Sequence, residues 1–423
     1  MTGTKPHQPP VKLLVFAHVP PPHHGQSYMV QLMLRGFENR ADELQVWHVD
    51  ARFSTDVDDI GGFRLAKAFS VFRYVFQALQ LRFRHGITHF YYVPAPGMTM
   101  PVLRDWVVMA CCRPFFRRLI LHWHSVGLGE WLETSSRRWL RPFTHLALGH
   151  ADVSVVLSRY NAADAERFRP RKIDVVANGI PDPCPRFAER TLALRQERLQ
   201  HRRRVLAVEA SAGEPSSTAE SEGVIIRVLF LALCTRDKGL FEAVDGVLMA
   251  NQHLRSQNRR VRFVLTIAGK FYTPQDEMDL NQRLAQPNAA GAVVYKGFVS
   301  GNEKAELLAN SDLFCFPTYY GMEGQPVNLI EAMAYGLSIV ASEWRSIPEM
   351  LPEGHPGLVP PRSAEAVAAA LRAVALRDEA AAMRARFEAR YSLDTYIKTL
   401  ANSIRNAGSP ASGSDPDPSG PPV

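Results

Sequence analysis

The chain has 423 residues, 46% of them hydrophobic, and a formal net charge of +7; that length and apolar content predict two domains and exclude a disordered or fibrous chain. Its five cysteines, Cys111, Cys112, Cys184, Cys234 and Cys315, follow neither a disulfide framework nor metal-ligand spacing, which excludes a disulfide-stapled secreted fold and predicts a reducing compartment. Residues 1–182 hold 22 Lys and Arg against 15 Asp and Glu, whereas residues 183–423 hold 27 of each, so the first half suits an acidic partner, an anionic membrane surface among them.

Residues 1–10 are polar and proline-rich, without the pattern of a signal peptide, and no uncharged apolar run reaches membrane-spanning length, so a cytoplasmic location is expected. Residues 11–19, VKLLVFAHV, read as a buried strand. The loop PPPHHGQS follows, and Met29, Leu32, Met33 and Phe37 then recur at helical spacing. This opening of a parallel sheet lacks a GxGxxG fingerprint. His23 and His24 read as solvated loop residues as readily as functional ones.

Residues 44–49 form a second strand and residues 63–83 a basic, aromatic helix. In that helix Phe69, Phe72, Val75, Phe76, Leu79 and Phe83 share a broad apolar face, ringed by Arg64, Lys67, Arg73, Arg82 and Arg84. The pattern fits an interfacial helix or a core-packing helix with flanking charges. Further strands are expected at residues 88–93, 119–124, 153–158 and 173–178, with His122 and His124 on one face of their strand. Pro181-Asp182-Pro183 closes a first domain at residue 183. Residues 184–223 connect the domains through an arginine-rich helix over 187–208 and a polar segment, 209–223, read as a flexible insertion.

The second domain, residues 224–391, opens on the strand VIIRVLFLA and a turn holding Arg236, Lys238 and Gly239. Strands are expected at 261–269 and 292–299, a closing helix at 392–406, and a disordered tail at 407–423. Between them, residues 313–317 read as a short buried strand ending in a Tyr/Gly loop. Leu329, Ile330, Met333 and Leu337 then recur at helical spacing, with Gly336 as the stop. Gly324 and Pro326 suit the start of that helix. The amides of Gln325, Val327, Asn328 and Leu329 would face an anion such as a diphosphate. Glu323 and Glu331, eight residues apart, could accept paired hydrogen bonds from vicinal hydroxyls at opposite ends of one nucleotide-sugar.

Glu323-x7-Glu331 within EGQPVNLIEAMAYG, with Ser338-Ile339-Val340-Ala341-Ser342 and Ile347-Pro348-Glu349 downstream, resembles the donor site of the large family of retaining glycosyltransferases of GT-B architecture, group 1 and family 4-like. The loop PPPHHGQS resembles the capsule and exopolysaccharide type. The resemblance implies an α/β fold of two Rossmann-like domains with parallel sheets facing an interdomain cleft, the first binding the acceptor and the second the donor. It implies that Glu323 contacts the transferred sugar, that the residues from Gly324 to Leu329 hold the diphosphate, and that Glu331 binds the ribose.

By the same resemblance Gly25 gives close backbone access beside the sugar, and His124 contacts the sugar or steadies charge at the reacting carbon. Lys238 balances the diphosphate. The arginine usual five residues before that lysine is Leu233 here, leaving either Arg236 as its substitute or Lys238 acting alone. Gly297 and Phe298 resemble the loop near the base, with a core-edge aromatic as the other explanation of Phe298. Ser158 and Asn178 match a strand-end serine and an NGI turn, which turn chemistry alone would also explain.

The expectation is therefore a metal-independent, retaining transferase with no cofactor, acting on a nucleotide-diphospho-sugar donor and a glycan or lipid-pyrophosphate acceptor, cytoplasmic or peripheral on the inner membrane face. No nucleic-acid motif is seen. A sugar-nucleotide epimerase of the same build and a non-catalytic polysaccharide-assembly subunit are the alternatives.

Overall fold

The computed structural model describes residues 9–21, 25–52, 65–211 and 223–408. His23, His24, Phe63, Arg64, residues 212–222 of the polar segment and the tail from residue 409 lie outside them, as do the side chains of Lys67 and Phe69. The chain divides into two compact units, Met1–Ala177 with Tyr396–Val423, and Asn178–Thr395.

The first unit runs β1 (Val11–Phe16), α1 (Gly25–Glu38), β2 (Leu44–Val49), α2 (Leu65–His85), β3 (His89–Tyr92) and α3 (Thr99–Cys112). It continues through β4 (Arg118–Trp123), α4 (Leu128–Thr134), α5 (Leu140–Leu148), β5 (Val153–Val156), α6 (Arg159–Glu166) and β6 (Ile173–Val175). All its strands pair in parallel, in the order β2-β1-β3-β4-β5-β6. The strands read as unbroken apolar runs because both faces are covered by helices, and Leu13, Leu14, Phe90, Ile120, Leu121 and Val155 are wholly buried.

The second unit runs α7 (Leu192–Ser211), β7 (Val224–Leu231), α8 (Leu240–Ser256), β8 (Val261–Ala268), α9 (Pro274–Leu284), β9 (Val293–Gly297) and α10 (Gly301–Asn310). Then come β10 (Leu313–Phe316), α11 (Val327–Ala334), β11 (Ser338–Ser342), α12 (Ile347–Met350), β12 (Leu358–Val359), α13 (Ala364–Val374), α14 (Ala380–Arg390) and α15 (Leu393–Arg405). Its sheet is also parallel, in the order β12-β11-β10-β7-β8-β9. Helix α7 belongs to this unit: buried Arg195 donates to the carbonyls of Leu308, Ser311 and Tyr335. From Tyr396 on, α15 belongs to the first unit, where Arg405 pairs with Glu43 and Ser403 bonds Asp174.

The aromatic face of α2 does not line the core as one surface. The buried stripe is Val71, Tyr74, Val75 and Ala78, while Phe72, Phe76 and Phe83 are exposed. The apolar arc of this helix is wide enough for two stripes, and the core takes the one formed by Val71, Tyr74, Val75 and Ala78.

Burial holds two histidines of the first sheet neutral. The His89 imidazole, desolvated and beside Arg118, is lowered to about 4. His122, wholly buried with Nδ1 2.6 Å from the Tyr91 hydroxyl and a second imidazole, His124, beside it, is pushed well below the ordinary value. An unfolded imidazole takes its proton near pH 6.5, so the unfolded chain binds more protons than the fold below that pH. Stability from His89 is thus full above pH 6.5 and lost as pH falls towards 4. In urea melts, His89→Asn should flatten the pH dependence between those values; an unchanged slope would contradict this.

Candidate functional site

The second sheet reverses direction between β7 and β10: successive strands add on one side as far as β9 and on the other from β10. Open α/β sheets take ligands beyond the carboxyl ends of strands at such a reversal. The loops leaving there are residues 232–239 and 317–326.

Lys238 ends a short turn, Arg236–Lys238, and Gly239 behind it has a φ of 80°. A Cβ on Gly239 would lie 2.2 Å from the Pro317 carbonyl oxygen, so glycine is required both by the backbone angle and by the close approach. The Tyr319 N–H donates to the Asp237 carbonyl at 2.8 Å, and the Thr318 hydroxyl donates to the same oxygen at 3.2 Å. These contacts clamp one loop onto the other. They bring the Lys238 ammonium to 2.7 Å from Glu323 Oε2 and 4.1 Å from the centre of the Tyr320 ring.

The Glu323 loop is pinned from β11. Ser342 donates to the Thr318 carbonyl, Ser346 to the Gly324 carbonyl, and Trp344 Nε1 to the Tyr320 carbonyl. Gln325, which is buried, accepts the Asn178 N–H at 2.6 Å, so its side chain fixes the loop. Asn328 Nδ2 donates to the Leu231 carbonyl at the end of β7, tying the helix start to the central strand.

Helix α11 begins after Pro326 with no side-chain cap. In the first unit the start of α4 is filled by the Asp164 carboxylate, which accepts the N–H groups of Gly127, Leu128, Gly129 and Glu130. Among the described residues no such carboxylate fills the start of α11. The Leu329 N–H, however, donates to Asn328 Oδ1 at 2.9 Å and its side chain is fully buried. Leu329 therefore does not present its amide outward as expected. The half-buried Val327 and Asn328 supply the first-turn N–H groups, which have no acceptor within the helix.

Glu331, in the second turn of α11, pairs with Lys304 of α10 at 2.6 Å. Lys304 carries no motif signal; only the fold brings residues 27 apart in sequence together. Both glutamates are thus already neutralised by lysines.

The remaining candidates separate. Arg236 pairs with Asp279 at 2.6 Å and lies over the Phe241 ring, while Leu233 is partly exposed. Gly297 has a φ of 76° and the neighbouring Phe298 ring is 71% exposed, a position that excludes a core role for it. In the first unit Gly25 opens α1, and a Cβ there would meet open space. His124 is buried just past the end of β4, its ring 4.1 Å from that of His122. Ser158 accepts the Asn161 N–H as the cap of α6, and Asn178 is buried.

Residues 229–376 match a family profile described as "Glycosyl transferases group 1". Over 159 residues the chain is 30% identical to a putative colanic acid biosynthesis glycosyltransferase, WcaL of Salmonella typhimurium, covering 36% of this chain and 37% of that protein. Over 151 residues it is 32% identical to the amylovoran biosynthesis glycosyltransferase AmsK of Erwinia amylovora, covering 34% of this chain and 35% of that one. The aligned stretches therefore span about a third of these relatives. The crystal structure of Anabaena HepE in complex with UDP and glucose superposes with a TM-score of 0.59 over 93% of this chain and 99% of that one, at 14% identity. The fold is that of the GT-B glycosyltransferases.

Because Gly239 sets the position of Lys238, Gly239→Ala should destabilise the protein by about 3 kcal/mol, from a disallowed angle and a backbone clash together. Urea unfolding measures this, and a loss below about 0.5 kcal/mol, the range of a neutral surface change, would show that the two loops are not clamped there.

Proposed function

We propose that the chain is a cytoplasmic, metal-independent, retaining glycosyltransferase that moves a sugar from a nucleotide-diphospho-sugar to a glycan or lipid-linked acceptor in cell-surface polysaccharide synthesis. The observation that carries this reading is the Lys238–Glu323 pair beside the uncapped start of α11, inside the stretch that matches the group 1 profile. Support also comes from the names of the relatives, which place them in colanic acid and amylovoran biosynthesis.

In the reaction the bond from the anomeric carbon to the β-phosphate oxygen breaks, and a bond to an acceptor oxygen forms as that oxygen loses its proton. Negative charge grows on the leaving diphosphate and positive character on the sugar. On this reading the Lys238 ammonium turns from Glu323 to the diphosphate, and the Val327 and Asn328 N–H groups donate to its oxygens, a preorganised stabilisation of developing charge. Glu323, released by Lys238, accepts hydrogen bonds from sugar hydroxyls as a binding group and not a nucleophile. Glu331, released by Lys304, accepts the ribose diol.

Glu323→Gln and Lys238→Ala should each lower kcat/KM by about a hundredfold or more, with one cooperative thermal transition retained but at a lower Tm, because each leaves the other member of a largely buried pair without its counter-charge. Full transfer activity in both variants would reject the site. UDP, GDP and the other nucleoside diphosphates should be compared by thermal shift, since a ligand binding only the folded protein stabilises it. One of them should raise Tm, and Lys238→Ala should abolish the rise. Transfer should persist in excess EDTA; its loss, with recovery on adding a divalent cation, would refute the metal-independent reading.

A further inference from the structure

The first unit carries an outer surface that the proposed donor chemistry does not use. Right-handed crossovers place α2, α3 and α5 on one face of the first sheet, and Val75 and Ala78 of α2, Val108 and Cys112 of α3, and Leu140 and Leu148 of α5 share one core. Away from that core, Phe72, Phe76 and Phe83 of α2 are 58%, 70% and 63% exposed. Their spacing of four and seven residues makes a single stripe along the helix. On α5, Phe143 and Leu146 are also exposed, with Trp139 one turn earlier.

The turn after α3 joins the two stripes. The Phe115 ring meets Phe83 edge-on at 5.5 Å, and Arg113 Nη1 donates to the Leu146 carbonyl at 3.2 Å. The charge around this ridge is one-sided. Of the seven arginines in residues 71–118, Arg104 and Arg118 pair with Asp105 and Asp152, which leaves Arg73, Arg82, Arg84, Arg113 and Arg117 as the excess charge of this stretch. Residues 137–149 contain three arginines, Arg137, Arg138 and Arg141, and no acid.

We propose that this face docks the protein on an anionic lipid bilayer, its aromatic side chains in the interface and its arginines on the headgroup phosphates. Exposed aromatics in a contiguous ridge mark an interaction surface, and rings rimmed by arginine are the composition of an interfacial element. Arginines near an anionic leaflet are drawn to it by its negative surface potential. A second copy is a poor occupant, because a two-fold contact sets the same arginines against each other. Among the described residues no helix is long and apolar enough to cross a membrane, so the docking is peripheral. The inference stands apart from the donor-site reading.

The test is co-sedimentation of the full chain with vesicles of phosphatidylcholine alone and of phosphatidylcholine mixed with phosphatidylglycerol. Binding should be at least about tenfold tighter to the mixed vesicles and should weaken as salt screens the charges. Phe72→Ser/Phe76→Ser and Arg137→Gln/Arg138→Gln should each cut binding about tenfold; these positions are exposed, and thermal unfolding checks that the variants fold. Equal binding to both vesicle types, no binding, or variants that bind like the unaltered protein would overturn the proposal. So would a concentration-dependent dimer that Phe72→Ser/Phe76→Ser abolishes, because the ridge would then be a contact between copies.

Discussion

The arrangement of the second unit depends on the close passage of Gly239 under the Pro317 carbonyl. Two loops leave neighbouring strands where the sheet reverses, and without that passage Lys238 and Glu323 would hang from separate turns. With it, a cation and a carboxylate meet at 2.7 Å beside the start of a helix whose N-cap position, Pro326, supplies no side-chain cap. The hydroxyls of Ser342 and Ser346 and the indole of Trp344 hold the carboxylate's loop from the other side. A buried ion pair is a weak source of stability because desolvation offsets its attraction. This one is better understood as a way of keeping both charges in place.

That pairing shapes what the site can bind on the proposed reading. An anion that takes Lys238 leaves the Glu323 carboxylate largely buried without its counter-charge, which costs several kcal/mol. A ligand that brings hydroxyl donors for Glu323 along with phosphate acceptors for Lys238 is therefore favoured over one that brings phosphates alone. Inorganic phosphate or pyrophosphate brings only the second. A nucleotide-diphospho-sugar brings both, and its ribose offers Glu331 the same exchange against Lys304. On the proposed reading the two ion pairs are placeholders that favour the whole donor over its fragments.

Much of the fold was legible because central parallel strands covered on both faces are largely apolar, and runs such as those at residues 224–232 and 313–317 coincide with strands to within a residue. Strand ends were less legible. The run at residues 11–19 stays apolar past Phe16, where the strand stops before the prolines. The helix start at Gly324 and Pro326 was visible from local chemistry, since glycine and proline mark it directly. Lys304 was not, because a contact across 27 residues leaves no local pattern. Nor was the Leu329 amide's local acceptor, since Asn328 at a helix start reads equally as a residue facing a ligand.

The exposed stripe on α2 shows a more general limit. Periodicity reports that a helix has an apolar arc, but the side of the arc that meets the core is set by which residues fit between helix and sheet. Val71, Tyr74, Val75 and Ala78 fit, and the phenylalanines beside them are displaced to the outside. Exposed rings in one stripe mark an interaction surface more than a solvated one, and these lie in the half of the chain that holds all of the net positive charge, which is the combination the proposed bilayer docking uses. The second half, with as many acids as bases, carries the paired glutamates and lysines. Charge balance and charge excess thus separate along the sequence in the same way as the proposed donor site, whose charges neutralise one another, and the surface proposed for an anionic bilayer.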